Sequence, residues 1–200
     1  MGTFLSFHIK TKDRDNLIHL LKVLSGTKEK VTDTFPEYMY DSISLNENSD
    51  PSILAITLNK DGWISVHHNT FQKLHHWGEF ISKTLNTTFI QIIGQTTSDA
   101  YYFLLYEGGN IRREIEVMNS EVSLDKGQKF SFEKEPLLND NFEDPENSFD
   151  IDSLEEYCKE FDLDLNFECD QYTILTKTTN EPANEDEDKD ANKKAWWKLW

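Results

Sequence analysis

The sequence is poor in the residues from which specialised sites are usually built. Only two of its 200 residues are cysteines, Cys158 and Cys169, and they form no Cys-x-x-Cys pair. This count excludes a cysteine-based zinc site and a disulfide scaffold, so we expect free thiols in a reducing compartment. No apolar run approaches the roughly 18–20 residues of a membrane helix, and no secretory signal precedes the first apolar residues. We therefore predict a cytoplasmic protein with no stable membrane insertion.

Catalytic and nucleotide-binding motifs are also missing. The chain has no Gly-x-Ser-x-Gly, no Gly-x-Gly-x-x-Gly and no P-loop, and its single glycine pair is explained by a turn. The histidine pairs His67-His68 and His75-His76 diverge, because neighbours point to opposite faces of a strand and about 100° apart on a helix. We predict no metal site, no cofactor and no catalytic residue.

Basic residues are scarce relative to acidic ones. The chain holds 20 Lys and Arg against 37 Asp and Glu, a formal net charge of −17. Residues 1–119 contain 14 acids and 11 bases, whereas residues 120–200 contain 23 acids and 9 bases. An acidic half repels nucleic acid and anionic membranes and attracts basic proteins. The charge thus predicts a basic protein partner and no nucleic acid.

Hydrophobic periodicity predicts an α+β fold. Period-2 alternation indicates strands in four segments: 3–10, 53–68 as a hairpin, 88–118 as a meander, and 171–177. Amphipathic helices are predicted over about 13–25, 69–85 and 151–163. Two further segments, 27–51 and 120–149, show no clear period and are predicted as loops, with at most a short strand near residue 130. Because each helix has one apolar stripe, we expect a mainly antiparallel sheet with the helices packed on one face.

Composition divides the chain into three parts. Residues 1–177 are predicted to form a single domain, with a compact core over 1–118 and an acidic extension over 119–177 that contains a helix and a strand. The segment 178–195 lacks large apolar residues and cannot offset its ordering entropy, so it is predicted to be a disordered acidic linker. A tryptophan-rich terminal peptide, 196–200, follows it.

The terminal peptide is the least ordinary feature of the sequence. It contains Trp196, Trp197 and Trp200, with Lys193 and Lys194 just before them. Each tryptophan can bury roughly 200 Å², so leaving three of them in water is unfavourable. Three docking places stay open for the peptide: its own domain, a protein partner, or a membrane surface.

A polar strand face provides a candidate site of another kind. Arg112 and Glu114 share a face of the last meander strand, and Tyr102 lies on the neighbouring strand. With His68, these residues could form a polar binding or catalytic surface on the sheet, or a solvated face with ordinary cross-strand pairs.

Arg113 is the unusual residue of this strand. It alternates with the apolar residues Ile111 and Ile115 on the same strand. If Arg113 is buried like these neighbours, its guanidinium requires a carboxylate partner, for which Asp99 and Glu79 are the candidates.

Residues 61–117 carry a resemblance to a known kind of protein. They contain a tryptophan-helix-strand pattern, then Ser-Asp-x-Tyr-Tyr, then Tyr-x-x-Gly-x-x-x-Arg-Glu. This stretch resembles small bacterial proteins of the polymorphic-toxin immunity type. The resemblance implies an acidic, cytosolic, non-catalytic protein that binds one toxin, and it carries over no functional residue.

Together these features predict a non-catalytic cytoplasmic binding protein, possibly of the immunity type, that captures a basic protein through an acidic surface. The acidic candidates are Glu155, Glu156, Asp162 and Asp164, and the three terminal tryptophans are further partner-binding candidates. Two alternatives stay open: an enzyme with the polar sheet-face site, and an adaptor that docks through the terminal peptide. The pattern does not indicate an oligomeric state.

Overall fold

The computed structural model describes residues 2–32, 34–36, 38–44, 49–119, 121–133, 149–165 and 171–177. These residues build one nine-stranded sheet in which every neighbouring pair of strands is antiparallel. The predicted mainly antiparallel sheet is therefore confirmed. The predicted disordered linker 178–195 and the terminal peptide 196–200 lie outside the described residues.

The described strands are β1 (Thr3–Lys10), β2 (Thr27–Thr32), β3 (Ile53–Leu58), β4 (Trp63–His68), β5 (Thr88–Gln95), β6 (Ala100–Glu107), β7 (Asn110–Met118), β8 (Glu121–Gly127) and β9 (Tyr172–Lys177). The described helices are α1 (Arg14–Ser25), the single turn α2 (Tyr38–Asp41), α3 (His75–Thr84) and α4 (Ile151–Glu160). The strand order across the sheet is β2-β9-β3-β4-β1-β5-β6-β7-β8.

Helix α1 begins and ends at the residues that the sequence indicates. The Asp13 side chain accepts a hydrogen bond from the backbone N–H of Asn16, which satisfies a donor in the first turn. Gly26 ends the helix in the left-handed conformation, at φ 65°. Leu17 and Leu21 are fully buried against the sheet, so this predicted helix is confirmed.

The meander β5–β7 is the centre of the core. Tyr102 and Leu104 belong to one apolar cluster, and Phe103 and Leu105 belong to another on the opposite face of the sheet. Strand β6 is apolar on both faces, and such a strand needs cover on both. This is why the helices do not share a face.

Helices α1 and α3 contribute to the first apolar cluster, and α4 contributes to the second. The prediction that all helices pack on one face is therefore wrong for α4. No helix among the described residues is long and apolar enough to cross a membrane.

Strands β2, β8 and β9 show how the later part of the chain enters the sheet. Strand β9 lies between β2 and β3, and β8 forms the edge beyond β7. Residue 118 therefore marks no break in the sheet. The predicted loop over 27–51 is wrong where β2 forms, and the predicted loop over 120–149 is wrong where β8 forms.

Helix α3 begins later than predicted. The sequence indicates a start at Asn69, but the helix begins at His75. The buried Asn69 side chain instead accepts hydrogen bonds of 3.0 Å from the backbone N–H groups of Ser52 and Ile53. It also donates to the Ser42 carbonyl at 2.9 Å. Asn69 thus joins the start of β3 to the end of β4 rather than capping a helix.

Candidate functional site

Helix α4 carries the acidic candidates, and its first residues are fixed by an N-cap. The Asp150 side chain accepts hydrogen bonds from the Ser153 N–H at 3.0 Å and from the Ser153 hydroxyl at 3.1 Å. Leu154, Tyr157 and Cys158 point into the core, and burial raises the pKa of the Cys158 thiol. The free thiol of Cys158 is therefore a packed core group.

The C-terminal end of α4 closes with a hydrogen-bonded turn around Asp162. The Leu163 N–H donates to the Cys158 carbonyl at 2.9 Å, and the Asp162 N–H donates to the Lys159 carbonyl at 3.0 Å. Asp162 has φ 59°, the left-handed conformation that usually favours glycine. An acidic residue therefore occupies a position where the backbone alone would favour glycine.

Two side chains from the β3–β4 turn anchor the residues after α4. The Trp63 indole N–H donates to the Phe161 carbonyl at 2.9 Å. The Asn59 amide donates to the Asp164 carbonyl, also at 2.9 Å. Hydrogen bonds therefore attach the end of the acidic helix to the β3–β4 hairpin.

The outer side of α4 is almost entirely acidic. Residues 149–165 contain seven acids and a single base, Lys159. Lys159 lies 3.5 Å from Glu155. Asp152, Glu156, Glu160 and Asp162 are exposed, and Glu155 and Asp164 are half-buried. The structure thus places the four predicted acidic residues on one helix and its exit.

The turn between β5 and β6 extends this charge. Burial is the main cause that raises the pKa of the Tyr101 phenol, and the nearby carboxylates of Asp99, Asp150 and Asp152 raise it further. Asp99 and the N-terminal residues of α4 thus both lie near enough to Tyr101 to affect its phenol. We refer to Asp99, Asp150, Asp152, Glu155, Glu156, Glu160, Asp162 and Asp164 as the acidic surface.

The core beneath the acidic surface contains a buried ion pair. Arg113 is fully buried, and its partners are Glu133 and Asp125 rather than the candidates Asp99 and Glu79. Its Nε and Nη2 donate to the two Glu133 carboxylate oxygens at 2.8 and 2.7 Å. Both partners follow β7 in the chain, where no sequence pattern indicates pairing.

Residues 128–133 pack beside α4. The Phe132 ring packs edge-on against Tyr157 of α4, with 5.1 Å between ring centroids. The Phe130 ring contacts Phe161 at 5.4 Å. The Arg113–Glu133 pair thus fixes the segment that supports α4 from the side.

The polar sheet-face candidates only partly come together. The buried Tyr102 hydroxyl donates to Glu114 Oε1 at 2.9 Å. His75 Nε2 lies 3.0 Å from the same oxygen, and His75 Nδ1 lies 3.2 Å from the Tyr106 hydroxyl. The histidine of this cluster is therefore His75, which the sequence patterns did not indicate as a partner for Glu114.

The other two predicted members lie elsewhere. His68 is on β4, three strand spacings or about 14 Å from β6, where it stacks on Phe7 with 5.7 Å between ring centroids. Arg112 is the extra residue of a β-bulge, and its Nε lies 3.2 Å from a Glu107 carboxylate oxygen. The predicted four-residue site is therefore wrong for His68 and Arg112.

The tyrosines of this cluster are held in their neutral form. Burial raises the pKa of Tyr102, and the adjacent Glu114 carboxylate raises it further. Burial also raises the pKa of Tyr106, with Glu79 and Glu114 adding to the effect. A neutral phenol that donates to a buried carboxylate supports the packing of α3 on the sheet, and it is poorly suited to act as a nucleophile or base.

A cavity of about 500 Å³ opens beside this cluster, on the same face of the sheet. We call it the sheet-face cavity; its lining includes Gln72, Lys73, Ile93, Tyr102, Glu116 and Met118. Lys73 Nζ lies 2.6 Å from Glu116 Oε1 and 5.1 Å from the centroid of the Tyr102 ring. The cavity therefore already holds one cation, between a carboxylate and an aromatic face.

Two histidines of β1 and β4, His8 and His68, are buried, and His67 is half-buried. Burial lowers the pKa of His8 to about 3, that of His67 to about 4 and that of His68 to about 3. His8 is hydrogen-bonded to the Ser65 hydroxyl at 2.8 Å and to the Ser6 hydroxyl at 3.0 Å. These imidazoles are therefore neutral at physiological pH.

Within the described residues, no group of three or more His, Cys, Asp or Glu side chains is arranged to hold a metal ion. No protein-family model, curated protein or solved structure matches the chain. The functional argument therefore rests on the acidic surface and the sheet-face cavity themselves.

Proposed function

We propose that this chain is a non-catalytic cytoplasmic binding protein that captures a basic protein partner through the acidic surface. The observation that supports it is the exposed row Asp152, Glu156 and Glu160 on α4. Like charges at i, i+4 destabilise a helix by about 0.2–0.5 kcal/mol per pair. The only base in residues 149–165, Lys159, pairs with Glu155 instead. A cationic partner would relieve this repulsion.

The positions of these acids do not stabilise helix α4. A carboxylate in the last turn opposes the helix dipole, and Glu160 is the last residue of α4. Asp162 occupies a left-handed position at the helix exit. Lys10 Nζ lies 4.0 Å from the Asp162 carboxylate, so this acid has a cation of the chain itself nearby. Glu160 has no such explanation from the helix, and an external cation would stabilise it.

The net charge supports fast capture. A charge of −17 on 200 residues attracts a basic protein over long distances and raises the association rate. The resemblance to immunity proteins makes a basic toxin, such as a nuclease, the proposed partner. The terminal tryptophans Trp196, Trp197 and Trp200 are proposed as a second contact, which is the adaptor role.

Charge reversal on α4 tests this proposal. We would replace Asp152, Glu156 and Glu160 by lysine and compare affinity capture from cell lysate with that of the unchanged chain. The control reverses Asp15, Asp41 and Glu79, which are exposed on α1, α2 and α3. The changes of net charge are equal in the two variants, so a difference between them reports the place of the charge.

The proposal expects basic proteins that bind the unchanged chain and the control but bind the α4 variant at least about tenfold more weakly. Melting temperatures of all three proteins verify that each is folded. A specific partner that binds the α4 variant and the unchanged chain with equal affinity would contradict the proposal.

A further inference from the structure

The sheet-face cavity contains the elements of a cation site. The Lys73 ammonium lies against both the Glu116 carboxylate and the Tyr102 ring. A carboxylate beside an aromatic face attracts cations through both charge and the ring quadrupole. Lys73 itself is an internal occupant of this place, and its side chain is 38% exposed, so it can leave at little cost.

The cavity is much larger than its occupant. An ammonium group fills a small part of about 500 Å³, and ligand pockets commonly range over roughly 300–1,000 Å³. Ile93 and Met118 provide apolar lining beside the charged groups. The cavity therefore has room for a cation together with an aliphatic stem.

One acceptor in the cavity lining has no donor. The side-chain oxygen of Gln72 is buried and has no hydrogen-bond partner among the described residues. An unsatisfied buried acceptor is unfavourable by about 1–3 kcal/mol, but this oxygen is closed to solvent, so a ligand in the cavity reaches it only after the Gln72 side chain turns.

The walls of the cavity are fixed in advance. The buried Gln91 side chain donates to the Gln72 carbonyl at 2.8 Å and accepts from the Leu74 N–H at 2.7 Å, so it clamps the backbone on both sides of Lys73. The Tyr102 ring is fixed by its hydrogen bond to Glu114. A site whose backbone and ring are already ordered loses less entropy when it binds.

We propose that the sheet-face cavity binds a guanidinium group, which displaces the Lys73 ammonium. A guanidinium is planar and stacks on the Tyr102 ring, while its N–H donors pair with the Glu116 carboxylate. An ammonium is a compact point charge, so it cannot stack on the ring and pair with the carboxylate as well as a guanidinium can. The cavity reaches Ser98 and Tyr101, which flank Asp99 of the acidic surface. Lys73, Tyr102 and Glu116 are not part of that surface, so variants at these residues test this proposal separately from the proposed function.

The test titrates the full chain with Nα-acetyl-arginine amide by calorimetry. The variant Lys73→Met removes the internal competitor and is expected to tighten binding roughly two- to fivefold. Glu116→Gln removes the charge-assisted contact and is expected to weaken binding at least about tenfold. The control Lys83→Met, on α3 outside the cavity lining, is expected to change the affinity less than about twofold.

Two ligand comparisons sharpen the result. Nα-acetyl-lysine amide is expected to bind several-fold more weakly than the arginine compound. A blocked pentapeptide with a central arginine distinguishes the source of the group: tighter binding than the amide indicates an arginine of a protein, and equal binding indicates a free guanidinium compound.

A loss of affinity, instead of a gain, when Lys73 is replaced would overturn the proposal. If Lys73→Met weakens binding, or if inorganic phosphate binds only while Lys73 is present, the cavity is an anion site in which Lys73 is the ligand. Lys73→Gln serves as a second variant, and it must change the binding affinity in the same direction as Lys73→Met. No binding of the arginine amide by the folded Lys73→Met protein also overturns it.

Discussion

At the scale of single residues, the buried His8 and His68 and the half-buried His67 make the stability of this protein depend on pH. Burial lowers the pKa values of His8, His67 and His68 to about 3, 4 and 3, whereas the unfolded chain protonates histidine near 6.5. The unfolded state therefore binds more protons, and its advantage grows as the pH falls. Stability is fully present above about pH 6.5 and is lost progressively towards pH 4.

We predict that His68→Phe makes the acid side of the stability curve less steep. Each buried histidine contributes at most about 1.4 kcal/mol per pH unit to that slope, and phenylalanine keeps the stacking on Phe7. Urea unfolding at several pH values between 7.5 and 5 gives the slope, with the exposed-residue variant His19→Gln as the control. An unchanged slope in His68→Phe would show that His68 is not buried in its neutral form.

The buried Arg113 pair is the second residue-scale determinant. We predict that Glu133→Gln lowers the free energy of unfolding by about 3 kcal/mol, because it leaves the guanidinium with less compensation in the core. Glu107→Gln breaks the exposed pair with Arg112 and is expected to cost less than about 1 kcal/mol. Urea unfolding measures both, and equal losses would contradict the burial of the Arg113 pair.

At the scale of elements, the sheet depends on the segment after residue 118. Strand β9 separates β2 from β3, so its removal leaves β2 without a neighbour and opens an interior edge of the sheet. We predict that residues 1–118 alone show no cooperative thermal transition, while residues 1–177 do. Circular dichroism melting of the two fragments checks this, and a cooperative transition in 1–118 would show that the sheet closes without β9.

The elements that sequence patterns predicted well are those with a period. The meander over 88–118 combines the alternating strand β7 with the continuously apolar strand β6 between clear turns, and α1 has a cap at each end. Strand β2 is different: its burial runs from Thr27, which is buried, through four exposed residues to a half-buried one, and it becomes a strand through pairing with β9. Such a strand has no local signal, because its partner lies about 150 residues further along the chain.

The candidate site was predicted in part for similar reasons. The acids of α4 follow from composition, and their common surface follows from one amphipathic helix. The sheet-face cluster needed long-range information, since the strand order separates His68 from Tyr102 and α3 supplies His75 in its place. The bulge that turns Arg112 towards Glu107 has no sequence signal.

At the scale of the whole molecule, removal of the terminal peptide tests whether it contributes to the stability of the fold or to binding of the partner. We predict that removing residues 178–200 changes the melting temperature by no more than about 2–3 °C, because the peptide is expected to be undocked in the free protein. The removal of residues 178–200 should weaken capture of the partner instead. A fall above about 5 °C, or fluorescence showing Trp196, Trp197 and Trp200 buried, would assign the peptide to the fold.

The association rate of the captured partner tests the central claim most directly. Capture by the acidic surface should slow steeply between about 50 and about 500 mM salt, because exposed charges are screened beyond about 10 Å at 0.1 M. Reversing Asp152, Glu156 and Glu160 should lower the association rate more than it raises the dissociation rate. Stopped-flow mixing measures both rates. A salt-independent association rate, unchanged by the reversal, would contradict the claim that this surface steers a basic partner.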